Sequence, residues 1–316
     1  MFAMIIKRIF SAIPVLLIIA TLTFCLVRVV PGGPFDEDKN LPPEIIKNLE
    51  AKYNLDKPIA EQYLLYLGRL VRGDLGVSYK YVDRTVTDIL GDAFPVSLQL
   101  GLAGLTIAML VGIPLGTLAA TRRGTFIDVL AMFISTAGIS VPVFVIGALL
   151  IYVFGIWLRL LPVGLWESPA HMILPAVTLA FGPTAYLARL TRASVLEVLE
   201  KDWVRTARSK GLSGYATVSR HVLRNALVPV VTVLGPLTAI LVTGSFVVEF
   251  VYAIPGMGRF FITAVMNRDY DLIMGTTLLF AVLLILTNTL VDIIYHFLDP
   301  RITVEDSFEA LLHSFE

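Results

Sequence analysis

Six stretches of this chain carry no charged side chain and approach or exceed the length needed to cross a bilayer: residues 9–27, 93–121, 129–158, 172–188, 225–248 and 272–291. A helix needs about 20 apolar residues to span the hydrocarbon core. Apolar residues make up 56% of the chain and charged ones 16%, which lies outside the range of soluble domains. The expectation is therefore an all-α polytopic membrane protein with six transmembrane helices. The run at 172–188 is the weakest, being short and rich in Pro and Gly. Those at 93–121 and 129–158 are longer than a span requires and are expected to tilt or extend into the interface. Residues 9–27 are too long for a signal-peptide core, and no small-residue cleavage site follows at Val29-Val30-Pro31-Gly32.

Lys and Arg placement predicts the orientation. Lys7 and Arg8 precede the first run, Arg122 and Arg123 separate the second from the third, and Arg301 follows the sixth. Eight Lys and Arg residues lie between Arg189 and Arg224. With six spans, all of these fall on one side, the cytoplasm, together with both termini. The loops at 159–171 and 253–271 carry few cations and fall on the other side. The net charge is zero, so there is no electrostatic footprint for nucleic acid. Cys25 is the single cysteine and excludes an intramolecular disulfide.

These runs divide the chain into a short N-terminus with the first helix (1–30), an outside segment (31–92), a membrane core (93–300) and a cytoplasmic tail (301–316). The outside segment holds eleven acidic and eight basic residues. Pro42 and Pro43 precede a helical pattern at 44–53, with Ile45, Ile46 and Leu49 on one face. A second pattern at 62–70 carries Tyr63, Leu64, Tyr66, Leu67 and Leu70. Together they predict a small helical lobe on the outer membrane surface.

The basic segment between the fourth and fifth runs has its own grammar. Residues 203–210 read as one short helix. Gly211 suits the left-handed backbone that ends a helix, and Ser213 suits the cap of the next. Tyr215, Val218, Val222 and Ala226 then recur at helical spacing. A loop that merely sets topology needs positive charge alone. Helix, glycine corner and helix describe a docking element.

The search for chemistry finds little. The chain contains no G-x-x-x-x-G-K-[ST], H-E-x-x-H or G-x-S-x-G motif. His171, His221, His296 and His313 lack metal-ligand spacing. Gly112 and Gly116 form a GxxxG suited to close helix packing. Hydroxyls are scattered through the runs. Ser135, Thr136, Ser140, Thr238 and Thr243 are candidates for a weakly polar passage, although small residues bonded to their own backbone at helix contacts would look the same. Glu249 and Asp292 stand at run boundaries, where a carboxylate can reach water, so neither need be buried. The absence of fixed charge at mid-run argues against a proton-coupled pump or an ion-selective filter.

The basic segment, Arg205-Thr206-Ala207-Arg208-Ser209-Lys210-Gly211-Leu212 with Arg220-His221-Val222-Leu223-Arg224-Asn225-Ala226-Leu227-Val228-Pro229, resembles the EAA loop of binding-protein-dependent ABC importer permeases, in the form found in the peptide/nickel branch. Similar motifs run along nearly the whole chain: Pro31-Gly32-Gly33-Pro34-Phe35, Leu41-Pro42-Pro43-Glu44, Phe94-Pro95-Val96-Ser97, Gly244-Ser245, Ile254-Pro255-Gly256-Met257-Gly258, Asn267-Arg268-Asp269-Tyr270 and Val291-Asp292 with Asp299-Pro300-Arg301. The resemblance implies a type I ABC importer permease fold in the bacterial inner membrane, half of a passage for oligopeptides. It also implies the partners: a second homologous permease subunit, two P-loop ATPase subunits that bind ATP and Mg, and an extracytoplasmic solute-binding protein. No cofactor is expected in this chain, and no enzyme activity of its own. The coupling loop spans 189–228, with Arg205, Thr206, Ala207, Arg208, Lys210, Gly211, Leu212, His221 and Arg224 as its contact candidates. The family's glutamate is Arg205 here and its first alanine is Thr206, so a glutamate contact to the ATPase does not carry over. Two alternatives stay open: the same architecture importing nickel, a metal chelate or another small solute, and an ATP-independent channel.

Overall fold

A computed structural model describes residues 2–35, 42–81, 83–243 and 245–298. Leu41, Gly244, Asp299-Pro300-Arg301 and the tail at 303–316 lie outside the described residues. The chain divides into two compact units, Phe2–Val96 with Pro255–Leu283, and Ser97–Ile254 with the chain from Leu284 onward.

The first unit contains α1 (Phe2–Val29), α2 (Pro43–Lys52), α3 (Ile59–Val71), the start of α4 (Val86–Thr121), α13 (Met257–Met266) and the first half of α14 (Tyr270–Leu298). Prolines place the ends of the short helices. Pro43 opens α2, and Pro58 stands just before α3, where a missing N–H costs nothing. The amphipathic face expected at 62–70 forms. Tyr66 is buried with Ala20 and Phe24 of α1 and Tyr270, Met274 and Leu278 of α14, while Tyr63, Leu67 and Leu70 pack around them. The helices of segment 31–92 thus share their core with the first and last long helices. A second cluster joins Val86, Ile89, Leu90 and Ala93 to Met257, Ala264, Leu272 and Ile273. Arg69 secures the arrangement by a two-point pairing with Asp271, at 2.9 and 3.2 Å.

The second unit holds the rest of α4, then α5 (Phe126–Ser140), α6 (Val143–Leu150) with a π-helical continuation (Ile151–Trp157), and α7 (Pro169–Leu199). The expected span at 129–158 is instead a pair of helices bent by 107°. The break falls at Val141-Pro142. Val141 adopts an extended backbone (φ −86°, ψ 126°), as a residue before proline prefers, and Pro142 has no N–H to continue the ladder. Among the described residues, five helices are long and apolar enough to cross a membrane by themselves, and this pair makes a sixth if its arms count as one span.

The weakest run, 172–188, lies within a 31-residue helix that is the most buried of these segments. Its low hydropathy reflects its neighbours: α7 packs against α5, α6, α10 (Leu223–Ala226), α11 (Val228–Val242) and α12 (Phe246–Val251), so it faces protein more than lipid. The same neighbours hold it through Pro175 and Pro183. The GxxxG on α4 serves close packing. A Cβ at Gly112 would stand 2.8 Å from the Thr184 carbonyl oxygen, and one at Gly116 would meet the Ala188 carbonyl oxygen closer still.

Candidate functional site

The basic loop is built on the end of α7. After Glu200 the chain turns into α8 (Asp202–Ser209), whose residues alternate sharply between packed and exposed. Val204 is fully buried in a cluster with Ala120 at the end of α4, Val195 of α7, and Val222 and Ala226 on the returning helical arm of the loop. Ala207, one turn on, is half-buried on the same side. Trp203, Arg205, Thr206, Arg208, Ser209 and Lys210 point outward. One apolar edge therefore pins α8 to the ends of two long helices and leaves the rest of its surface unpartnered.

Gly211 has φ +84°, and its N–H is bonded to the Arg208 carbonyl oxygen at 2.9 Å. Nothing lies within 4 Å of where its Cβ would be, so glycine is demanded by the backbone turn and not by crowding. Leu212 is half-buried beyond the corner. The Ser213 hydroxyl then accepts the Ala216 N–H at 3.3 Å, capping α9 (Gly214–Thr217) as expected.

The expected apolar stripe is corrected at its start. Tyr215 is 85% exposed, while Thr217 is fully buried. The cause is a π turn, Val218–Val222, between α9 and α10. Its extra residue shifts the register, so that Thr217, Val222, Ala226 and Val230 face inward, at spacings of five, four and four. Arg220, His221 and Arg224 are exposed. None of Arg208, Lys210, Arg220 and Arg224 forms an ion pair among the described residues, and Arg205 reaches Asp202 only at 3.8 Å. The result is a rigid corner with a cationic outer face and an aromatic tip.

Two buried polar pairings tie this region to the helices behind it. Asp128 of α5 accepts from Arg192 of α7 and from the Gly124 N–H. Glu249 of α12, which its place at a run boundary left free to reach water, is 0% exposed and accepts the Ser97 hydroxyl at 2.8 Å. The reason is a second helix start within the fifth run: α11 ends at Val242, Ser245 caps α12 by accepting the Val248 N–H, and α12 turns Glu249 into the interior. Nearby, Thr178 and Tyr252 share a hydrogen bond of 2.8 Å, and Tyr252 donates to the Gly147 carbonyl. Burial holds the Tyr252 phenol above its ordinary pKa.

The candidate passage hydroxyls separate by position. Ser135 is 1% exposed and donates to the Ala131 carbonyl oxygen at 2.8 Å. Ser140 is exposed and donates to Thr136, while the half-buried Thr238 and Thr243 donate to Leu234 and Ala239. All four bond their own helix one turn back. Thr136 is exposed and lines an open groove with Asp128, Met132 and Arg192.

Comparison with known proteins gives one consistent result. Residues 112–304 match the model "Binding-protein-dependent transport system inner membrane component", and residues 1–101 match its N-terminal counterpart. The chain is 48% identical over 297 residues to the dipeptide transport system permease protein DppB of Bacillus subtilis, covering 94% of this chain and 96% of that protein. It is 42% identical over 304 residues to the oligopeptide transport system permease protein OppB of Escherichia coli K12, covering 96% and 99%. Among solved structures, the MetNI methionine ABC transporter in an inward-facing conformation shares the fold, with a TM-score of 0.52 at 18% identity over 65% of this chain and 94% of that one. An amino acid ABC transporter gives 0.53, also at 18% identity, over 66% and 93%.

Proposed function

The chain belongs to the family of binding-protein-dependent transport system inner membrane components, and from that premise we propose that it forms half of a peptide passage driven by ATPase subunits docked on α8 and Gly211. It is a multi-pass inner-membrane protein whose relatives are permease subunits, and we assign ATP hydrolysis to partner subunits. Di- and oligopeptides are the proposed cargo, by analogy with the named relatives.

The observation that carries the coupling role is the corner itself. An ATPase groove that closes on Trp203, Arg208 and Lys210 would move α8, and α8 shares a core with the ends of α4 and α7. A displacement there reaches two long helices directly, as coupling through a two-state element requires. ATP and Mg would bind the ATPase subunits. A second permease subunit would complete the passage, both termini and the loop would be cytoplasmic, and the lobe at 31–92 would meet a cargo-loaded binding protein outside. Thr136, Ser140, Thr238 and Thr243 would contribute a weakly polar lining, and selectivity would rest with the binding protein.

Reconstitution of the two permeases, two ATPases and binding protein into vesicles tests this reading. Uptake of di- and oligopeptides should require both ATP and the binding protein. Uptake of nickel with no peptide transport would refute the cargo, and transport without ATPase subunits would refute the mechanism.

A further inference from the structure

Within the first unit, α3 is tied to two spans at the level where their apolar runs stop. The Gln62 carbonyl oxygen accepts from Arg28 at 3.1 and 3.0 Å, one residue past the uncharged run of α1 at 9–27. Arg69 pairs with Asp271, one residue before the run of α14 at 272–291. Tyr63 reaches further in. Its hydroxyl shares a hydrogen bond of 2.6 Å with that of Thr21. The Tyr63 and Tyr66 rings pack on Phe24, with centroids 5.0 and 5.8 Å away. The 19 residues of the α1 run rise about 28 Å at 1.5 Å each, so they fill nearly all of a hydrocarbon core of about 30 Å. Thr21 stands six residues before the end of that run, about 9 Å inside the core. Even with its tyrosine side chains pointing inward, α3 therefore lies along the boundary of the core and not clear of it.

The faces of α3 follow from its 3.6-residue turn. Gln62 and Arg69 share one side, and Ala60, Leu64 and Val71 share the side roughly opposite. Tyr63, Tyr66, Leu67 and Leu70 fill the arc against α1 and α14. Leu65, Gly68 and Glu61, which pairs with Lys57 at 2.8 Å, hold the arc turned away from them. Passing from Gln62 to Tyr63 leads from the water level towards Thr21. Continuing round the helix in that sense brings Leu64 and Val71 to the side facing the hydrocarbon. Leu64 is 67% and Val71 89% exposed. The described residues leave the space beneath them open, since Leu17, one turn deeper than Thr21 on α1, is 47% exposed. A soluble partner approaches from the water side, where Gln62 and Arg69 stand, and this uncharged stripe points the other way.

We propose that Ala60, Leu64 and Val71 insert among the acyl chains of the adjacent leaflet, which makes α3 an interfacial helix with lipid as the partner of its lower face. The apolar surface of the stripe is then continuous with the lipid-facing surface of α1. The bilayer braces the segment at 31–92 from below and leaves its water side free for a soluble partner. The lipid contact is independent of which solute is carried.

The test uses the complete transporter reconstituted in vesicles. An environment-sensitive fluorophore is placed on a single cysteine, Leu64→Cys, Val71→Cys or Arg72→Cys, in a Cys25→Ser background. All three sites are exposed, so the label displaces no core side chain. Phospholipids with brominated acyl chains quench from within the membrane, and iodide quenches from water. Brominated chains should remove about half of the emission at Leu64→Cys and Val71→Cys, and iodide should quench both about five-fold less than Arg72→Cys. Iodide reaching all three alike would put the stripe in water and overturn the proposal. Shielding of Leu64→Cys and Val71→Cys from both quenchers would mean that protein covers the stripe, and shielding from iodide only after cargo-loaded binding protein is added would make it a landing surface. Either overturns the lipid contact. Equal lipid quenching at Arg72→Cys would show the label reaching the chains irrespective of helix face, and overturns it as well.

Discussion

Arg192 in α7 grips Asp128 in the first turn of α5 with two nitrogens, Nε at 2.6 Å and Nη2 at 2.8 Å from the two carboxylate oxygens. Asp128 is buried and Arg192 about a quarter exposed. The pair fixes the start of one helix of the bent pair to the helix that runs into the docking loop. Two-point geometry at a largely buried carboxylate is the arrangement in which removing one partner is costly.

Arg192→Met should therefore destabilise the folded permease by about 2 kcal/mol, below the 3–5 of a fully buried pair because water reaches the guanidinium. Asp128→Asn combined with Arg192→Met should recover part of the loss, since no buried charge is then stranded. Thermal unfolding of the purified complex measures both. A double substitution as damaging as the sum of the singles would mean that the two residues act independently.

Gly116 and Gly211 make opposite demands. At Gly116 an added Cβ meets the Ala188 carbonyl and Thr191, backbone and a stiff side chain that cannot yield cheaply. At Gly211 the space is open. Gly116→Ala should lower the unfolding temperature of the complex and separate α4 from α7, while Gly211→Ala meets only the strain of its positive φ and should lower it less. Equal stability of the two variants would remove close packing as the reason for Gly116.

What the amino-acid sequence reveals here follows the range of the interaction. Gly211 and Ser213 were readable because caps and corners depend on neighbours a few residues away. Tyr215 was not, because the π turn that exposes it is set by how Val222 and Ala226 seat on α4 and α7. Pro142 was visible, yet prolines at 175, 183 and 236 lie within unbroken helices, so proline alone does not locate a 107° bend. Asp128 and Arg192 stand 64 residues apart; each looks like an ordinary boundary charge until the fold pairs them. The burial of Glu249 is hidden for a related reason: a carboxylate at the end of an apolar run can reach water, and only the new helix that starts at Phe246 turns this one inward.

The hydroxyl candidates should divide by burial. Thr136→Asp and Ser140→Asp, at exposed positions, should fold normally and reduce peptide uptake if these faces line the passage. Thr238→Asp and Thr243→Asp, half-buried, should reduce uptake with a modest loss of stability. Ser135→Asp should fail earlier, because a carboxylate at a 1% exposed position lacks a partner. Measuring uptake alongside the amount of assembled complex separates the two causes. Normal uptake by all four of the others would route the passage along different residues.

Gly211 gives the most direct test of coupling. Its φ of +84° lies in the left-handed region that L side chains avoid, at a penalty of roughly 1–2 kcal/mol, with β-branched residues the least tolerant. Since nothing crowds the position, the penalty is relieved by moving the corner, and moving the corner swings α8 against α9. Gly211→Asn should be mildest, because asparagine tolerates the left-handed conformation; Gly211→Ala should come next, and Gly211→Val should be most severe. All three should remain in the membrane with the partner permease, since the buried anchors Val204, Val222 and Ala226 are untouched. Gly211→Val should retain ATPase subunits weakly, or let them hydrolyse ATP without moving peptide. Reconstituted complexes read this as ATPase retention, binding-protein-stimulated hydrolysis and uptake, measured side by side. Full uptake by Gly211→Val would show that the angle of this corner does not transmit the ATPase stroke, and the basic loop would be left as a signal for topology.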